Sequence, residues 1–166
     1  GRPQTPTHPA EAIEAGVSMI YQELDLAEHL TVAENIFLGA EPRGRLPLTI
    51  SHHEMVTQTR RLAAQYRFDI RPTAKVEDLS MGDCQIVEIL KALRRNASIT
   101  VMDEPTSSLS ERETARLFNV VRQLREQGLS IVYISHRLEE ILELADEVSV
   151  LRDGQLVHSE PIAELD

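Results

Sequence analysis

Tryptophan is absent from this chain of 166 residues, aromatic residues make up only 4%, and cysteine occurs once, at Cys84. A single cysteine excludes an internal disulfide and fits a reducing compartment. Lys75 and Lys91 are the only lysines, and the formal net charge is −10. Binding to a phosphate backbone draws on Lys and Arg, so the balance argues against nucleic acid as a partner. No apolar run approaches the roughly 20 residues of a membrane-spanning helix, and no signal peptide is recognisable. Internal repeats and low-complexity stretches are missing too. The sequence opens on Gly1-Arg2-Pro3 without an initiator Met, as if cut from something longer. What remains is 42% hydrophobic and 27% charged, an ordinary globular balance for one domain or part of a larger one.

Apolar runs and helix signals alternate along the chain. The pattern predicts a short helix over 7–15 with an early proline, Pro9, and Gly16 as its stop. An apolar strand over 17–21 follows and ends at Gln22. Thr31 and Glu34 have capping-box spacing, starting a helix that runs to Leu38 and stops at Gly39. A Pro-, Gly- and Arg-rich loop is expected over 41–48. Ser51 and Glu54 form a second capping box; its helix carries Met55, Leu62, Ala63 and Tyr66 on roughly one face. From Ser80 a helix reaches Arg94, with Ile86, Ile89, Leu90 and Leu93 as its buried stripe. A strand over 98–102 comes next, then a third capping box at Ser110 and Glu113. The helix behind that box buries Leu117, Val121 and Leu124 and stops at Gly128. A strand over 130–134, a helix over 137–145 and a hairpin turning at Asp153-Gly154 complete the chain. Strands alternating with helices predict an α/β fold with a largely parallel core sheet. Residues 31–94 are helical without strands, so they read as an insertion into a sheet core formed by 1–30 and 95–166.

Three of these strands end in polar residues: Gln22, the pair Asp103-Glu104, and Ser135-His136. In open α/β sheets, ligands bind beyond the carboxyl ends of the strands. An amide, two carboxylates and an imidazole gathered there suit phosphoryl transfer to water. One carboxylate can hold a magnesium ion, which prefers oxygen ligands and keeps several waters. The other can polarise the attacking water. The amide can orient that water and reach the metal, and the imidazole can contact a γ-phosphate.

Leu79-Ser80-Met81-Gly82-Asp83-Cys84-Gln85 resembles the LSxGxxQ signature of ABC-type ATPases. Asp103-Glu104-Pro105-Thr106 resembles the family's Walker B motif, and the 107–110 stretch its D-loop. Tyr21-Gln22-Glu23 is similar to the Q-loop and Ile134-Ser135-His136-Arg137 to the switch-histidine loop. The stretches 21–26, 30–39 and 131–140 more closely resemble the branch that energises uptake of ribose, galactose or xylose, whose members usually fuse two ATPase halves. The resemblance covers nearly the whole chain and implies a P-loop NTPase-like core with a helical signature subdomain. It implies ATP and Mg²⁺ as cofactors. Asp103 and Gln22 are then metal-side groups, Glu104 the general base, and His136 the γ-phosphate contact. Gln22 also acts as orienter of water and sensor of occupancy. Ser80, Gly82, Gln85, Ser107 and Leu109 would meet a nucleotide bound mainly to a second ATPase half in a head-to-tail dimer. At the signature, Ser80 caps the helix, Gly82 lets a phosphate approach the backbone, and the helix N-terminus attracts anions. The implied partners are transmembrane permease subunits and, indirectly, a periplasmic sugar-binding protein. The implied location is peripheral, on the cytoplasmic face of the bacterial inner membrane.

Two departures qualify that picture. The phosphate-cradling loop GxxxxGK[ST] is absent, since Lys75 follows Ala74 and Lys91 follows Leu90. In the family this loop lies N-terminal to the region matched here, so the N-terminal part of the domain is expected to be missing. These residues alone are then expected neither to bind ATP tightly nor to hydrolyse it. Many family members also carry Asp where this chain has Ser110, which doubles as a helix cap. Three alternatives stay open: a soluble ABC-type ATPase acting on DNA or ribosomes, a regulatory pseudo-ATPase, and a phospho-acceptor receiver domain built on Asp103. His52-His53 reads as a solvated helix start, since adjacent helical residues do not face one way. Cys84 reads as a passive position rather than a reactive thiol, and Glu139, Glu140 and Glu143 as a solvated helix face. The transported solute is not legible.

Overall fold

The computed structural model of the chain describes residues 5–22, 24–44, 49–95 and 97–165. Residues 1–4, Glu23 of the Tyr21-Gln22-Glu23 motif, and 45–48 of the expected loop lie outside the described residues. Strands β1 (Val17–Ile20), β2 (Ile99–Asp103) and β3 (Ser130–Ile134) form a parallel sheet in the order β1-β2-β3. Helix α1 (Pro9–Glu14) precedes it, and Gly16 at φ +85° turns the chain into β1. The register aligns Ile20 with Met102 and Met102 with Tyr133.

Side chains alternate along each strand, so the sheet has two faces. Ser18, Ile20, Thr100 and Met102 are buried on one face, where Ser18 and Thr100 share a 3.2 Å hydroxyl contact. That face packs on α4 (Met81–Arg94) and α5 (Glu111–Glu126) through Ile89, Leu93, Leu117, Phe118 and Leu124. The opposite face leaves Met19, Ile99, Val132 and Ile134 exposed.

A second cluster joins α2 (Val32–Phe37), α3 (His52–Gln65) and α4 around Val32, Ile36, Met55, Ile86 and Leu90. Helix α4 serves both clusters because its apolar stripe is wide. Ile89 and Leu93 face the sheet, while Ile86, Val87 and Leu90 face α2 and α3. On α3 the row Met55, Thr59, Ala63 is buried, while Leu62 and Tyr66 are half-buried.

The capping box of Thr31 and Glu34 forms in full, as does that of Ser110 and Glu113. The one at Ser51 forms only by half. Ser51 Oγ accepts the Glu54 N–H at 3.2 Å, but the Ser51 N–H donates to Pro42 O and the Glu54 carboxylate turns to Gln58. Strand β2 ends one residue later than expected, so Asp103 lies inside the ladder, paired with Ile134. Helix α6 (Leu138–Leu144) leads to the antiparallel hairpin of β4 (Glu147–Arg152) and β5 (Gln155–Pro161). Asp153 and Gly154 turn it with φ of +51° and +76°, the two positive values a type I′ turn requires. Strand β5 runs on to Pro161, which pairs with Glu147 at the start of β4.

Candidate functional site

The parallel register carries Gln22, Glu104 and Ser135 each two residues beyond an aligned row, Ile20, Met102 and Tyr133. The ends of all three strands therefore open on one crest. Gln22 is exposed in the bend after β1. Asp103 closes β2 in phase with Ile99 and Val101, on the open face of the sheet.

Glu104 follows in a left-handed conformation, φ +42°. A bulky residue at positive φ is strained. Here the Glu104 N–H donates to Ile134 O at 2.9 Å, extending the ladder, while its C=O accepts from the Ser107 N–H at 3.1 Å. The Leu109 N–H then closes a turn on Thr106 O at 3.1 Å. The strain thus redirects the chain sharply at the strand end and turns the Glu104 side chain toward the β3 loop. His136 Nδ1 lies 3.0 Å from Glu104 Oε1. The imidazole is 72% exposed and the carboxylate 31% exposed, so solvent screens this pair and it adds little stability. Among the sequence-predicted groups, Glu104 and His136 are joined directly. Ser107 is exposed on the turn, and Leu109 is half-buried against the sheet core.

The signature residues sit elsewhere, at the N-terminus of α4. Ser80 Oγ accepts the Asp83 N–H and donates to Asp83 Oδ2, both at 3.1 Å. The Gly82 N–H donates to Glu113 Oε1 at 3.0 Å. Glu113 Oε2 accepts from the Ser110 hydroxyl at 2.7 Å and the Ser110 N–H at 3.1 Å. The Ser110 hydroxyl, then the Gly82 and Ser110 N–H groups, hold the Glu113 carboxyl down at about 2. The approach that the sequence reading reserves for a phosphate is made here by a carboxylate. Gly82 permits it: a Cβ there would meet Glu113 Cγ at 3.0 Å. Arg116 adds a 2.7 Å ion pair to Asp83. Gln85 is only 4% exposed, with its side-chain amide nitrogen unpartnered, so it does not share the solvent-facing surface of Ser80.

Glu140 corrects the sequence reading. It is not on a solvated face but 3% exposed. Its carboxylate accepts from Thr106 Oγ1 at 2.8 Å and 3.0 Å, Ser135 Oγ at 2.9 Å and Tyr133 OH at 3.0 Å, and pairs with Arg137 at 2.8 Å. Burial and this adjacent charge push the Tyr133 phenol up. Arg137, Ser135 and Tyr133 lie within seven residues of Glu140, but Thr106 comes from 34 positions away, and its approach has no local signal. Two further residues have roles that no sequence pattern marks. Asn35, buried in α2, takes the Ala27 N–H at 2.8 Å and returns a bond to Ala27 O at 3.0 Å. Lys91 donates to Asp25 O at 2.6 Å. Both anchor the segment that follows Gln22. Burial and the neighbouring Asp83 push the Cys84 thiol up. His52 and His53 are exposed, as a solvated helix start requires. Among the described residues, no group of three or more His, Cys, Asp or Glu side chains is placed to hold a metal. No helix there is long and apolar enough to cross a membrane.

A parallel sheet flanked by α4 and α5, with polar strand ends on one crest, defines a P-loop NTPase-like α/β fold. The ABC transporter family model matches residues 2–107. The chain is 51% identical over 160 residues to the ribose import ATP-binding protein RbsA of Yersinia pestis, covering 96% of this chain and 31% of that protein. It is 46% identical over 157 residues to a putative ribose/galactose/methyl galactoside import ATP-binding protein of Agrobacterium fabrum, covering 95% and 30%. A nucleotide-free ATP-binding cassette from an ABC transporter superposes with a TM-score of 0.77 at 25% identity, over 93% of this chain and 64% of that one. The ADP conformation of another such cassette gives 0.77 at 26% identity, with the same coverage. This chain belongs to the ABC transporter family. It spans about a third of the length of the curated relatives it matches.

Proposed function

We propose that this chain is part of the ATP-hydrolysing energy module of an importer, with a monosaccharide as the transported solute. One observation carries the chemistry: Glu104, beside Asp103 at the crest of a parallel sheet, contacts His136 at 3.0 Å across the β2 and β3 loops. Glu104 is the general base, taking a proton from the water that attacks the γ-phosphate. His136 orients that carboxylate and contacts the γ-phosphate. Gln22 orients the water and reports nucleotide occupancy. Asp103 holds Mg²⁺ through water. A magnesium ion is bound by one or two carboxylates with phosphates and waters, so this donor set fits it without a three-residue cage. When bound, the ion neutralises charge on the phosphate oxygens.

Ser80 and Ser107, both exposed, face a nucleotide held mainly by a second ATPase half in a head-to-tail dimer; Gly82, Gln85 and Leu109 stand behind them, Gly82 with its N–H on Glu113 and Gln85 buried. Residues 31–94 form a helical signature subdomain, with 1–30 and 95–166 as the sheet core, and the module associates with permease subunits. The permease receives solute from a periplasmic sugar-binding protein, and the module lies on the cytoplasmic face of the membrane. The sugar reading rests on the names of the ribose and galactose import relatives. These 166 residues contain no GxxxxGK[ST] loop, so weak ATP affinity of this chain alone is part of the proposal.

The test is Glu104→Gln in the full-length protein. ATP turnover should fall by roughly 100-fold or more, as loss of a general base does, while ATP still drives dimerisation. Retention of most of the hydrolysis rate would sink the general-base role.

A further inference from the structure

Two loops carry the crest, and one buried side chain ties them together. Thr106 follows Asp103-Glu104 and is itself buried. Ser135 and Arg137 flank His136. All three donate to Glu140, with contacts of 2.8 Å and 3.0 Å from Thr106, 2.9 Å from Ser135 and 2.8 Å from Arg137. Ser135 Oγ also accepts the Arg137 N–H at 3.0 Å, which shapes the backbone on both sides of His136. A buried carboxylate is tolerable only when its oxygens are fully hydrogen-bonded, and these donors meet that requirement. A neutral amide here could keep its oxygen on Arg137, which has no acceptor, only by turning its N–H₂ toward the Ser135 and Tyr133 hydroxyls, which would have to reverse from donor to acceptor.

We propose that Glu140 is a positioning residue, a latch that clamps the Thr106 turn to the loop of His136 and so keeps Glu104 and His136 in contact. Buried at 3% exposure, it acts through those loops. The proposal rests on the reading of Glu104 and His136 as the hydrolytic pair. Its geometric part is separate from that reading: the Glu104 N–H to Ile134 O bond joins the strand ends, but beyond it the Thr106 turn and the His136 loop would be left tied by the exposed Glu104–His136 pair, which is too weak to fix them.

The test compares Glu140→Gln, Thr106→Val, their double variant and Val121→Ala in the full-length protein. Val121 is buried on α5 in the same core but makes no bond to Glu140, so it controls for lost stability. Glu140→Gln and Thr106→Val should each lower kcat by roughly 10-fold or more, with nucleotide Kd unchanged. The double variant should fall no further than the worse single variant, since both break one link. The His136 ring signals in NMR spectra should shift toward those of Glu104→Gln. The latch is overturned by unchanged His136 signals, by losses that multiply in the double variant, or by an equal kcat loss in Val121→Ala at matched melting temperature. The NMR measurement needs no turnover. Should Glu104→Gln hydrolyse ATP normally while Glu140→Gln still shifts the His136 ring, the hydrolytic reading fails and the latch stands.

Discussion

His136 Nδ1 lies 3.0 Å from Glu104 Oε1, and Glu104 reaches it from a backbone at φ +42°. The contact is too exposed to repay that strain. The conformation is sustained instead by the Glu104–Ile134 backbone bond and the turns behind it, so its cost is carried for the sake of where the carboxylate points.

Glu104→Gly should therefore leave the fold as stable as the parent or more so, by up to about 1 kcal/mol, because glycine adopts positive φ without strain. Urea denaturation checks this. A loss well beyond that figure would mean that the Glu104 side chain holds the crest together.

The Glu113 carboxyl, at about 2 against an ordinary 4.5, makes stability depend on pH. A depressed folded-state value means that its contribution is fully present above about 4.5. It is lost as pH falls from there toward 2. Chemical denaturation of parent and Glu113→Gln should show a gap at pH 7 that narrows steadily below pH 4.5. A gap constant down to pH 2.5 would show that the carboxylate charge is not what Gly82 and Ser110 bind.

Gly82→Ala tests the same contact sterically. In an ordinary helix this change gains up to about 1 kcal/mol. Here the added Cβ would meet Glu113 Cγ at 3.0 Å and Oε1 at 3.2 Å, so Glu113 must give way by a few tenths of an ångström at the expense of its bond to the Gly82 N–H. Thermal melting should show a loss, and a double-mutant cycle with Glu113→Ala should show coupling between the two sites. A simple gain in melting temperature would mean that Glu113 yields freely.

Cys84 sits in the first turn of α4, a place that can activate a thiol. Burial and Asp83 push it the other way. Its modification by a disulfide reagent at pH 7.5 should be slower than that of a small free thiol and should accelerate on unfolding. Faster reaction in the folded state would contradict the passive role.

The elements were legible in the sequence because their signals are local. Thr31 with Glu34 and Ser110 with Glu113 close their boxes within four residues, and the stripe Ile86, Ile89, Leu90, Leu93 follows from helical period alone. The crest was legible as well, since parallel strands send their carboxyl ends the same way. The failure at Ser51 shows the limit: its cap was written locally, but its N–H went to Pro42, nine residues back.

What the sequence determined by itself is the order of strands and helices and the polar groups at the strand ends, because periodicity and capping act over one or two turns. Tertiary structure decided which of those groups meet. It buried Glu140 among donors from two loops, sent the Glu113 carboxylate to a glycine 31 residues away, and gave α4 to two cores at once. A carboxylate on a short helix reads as solvated until its neighbours fold back on it and a distant donor joins them; Ser135 and Tyr133 are near in sequence, but only the register of β2 against β3 brings Thr106 there.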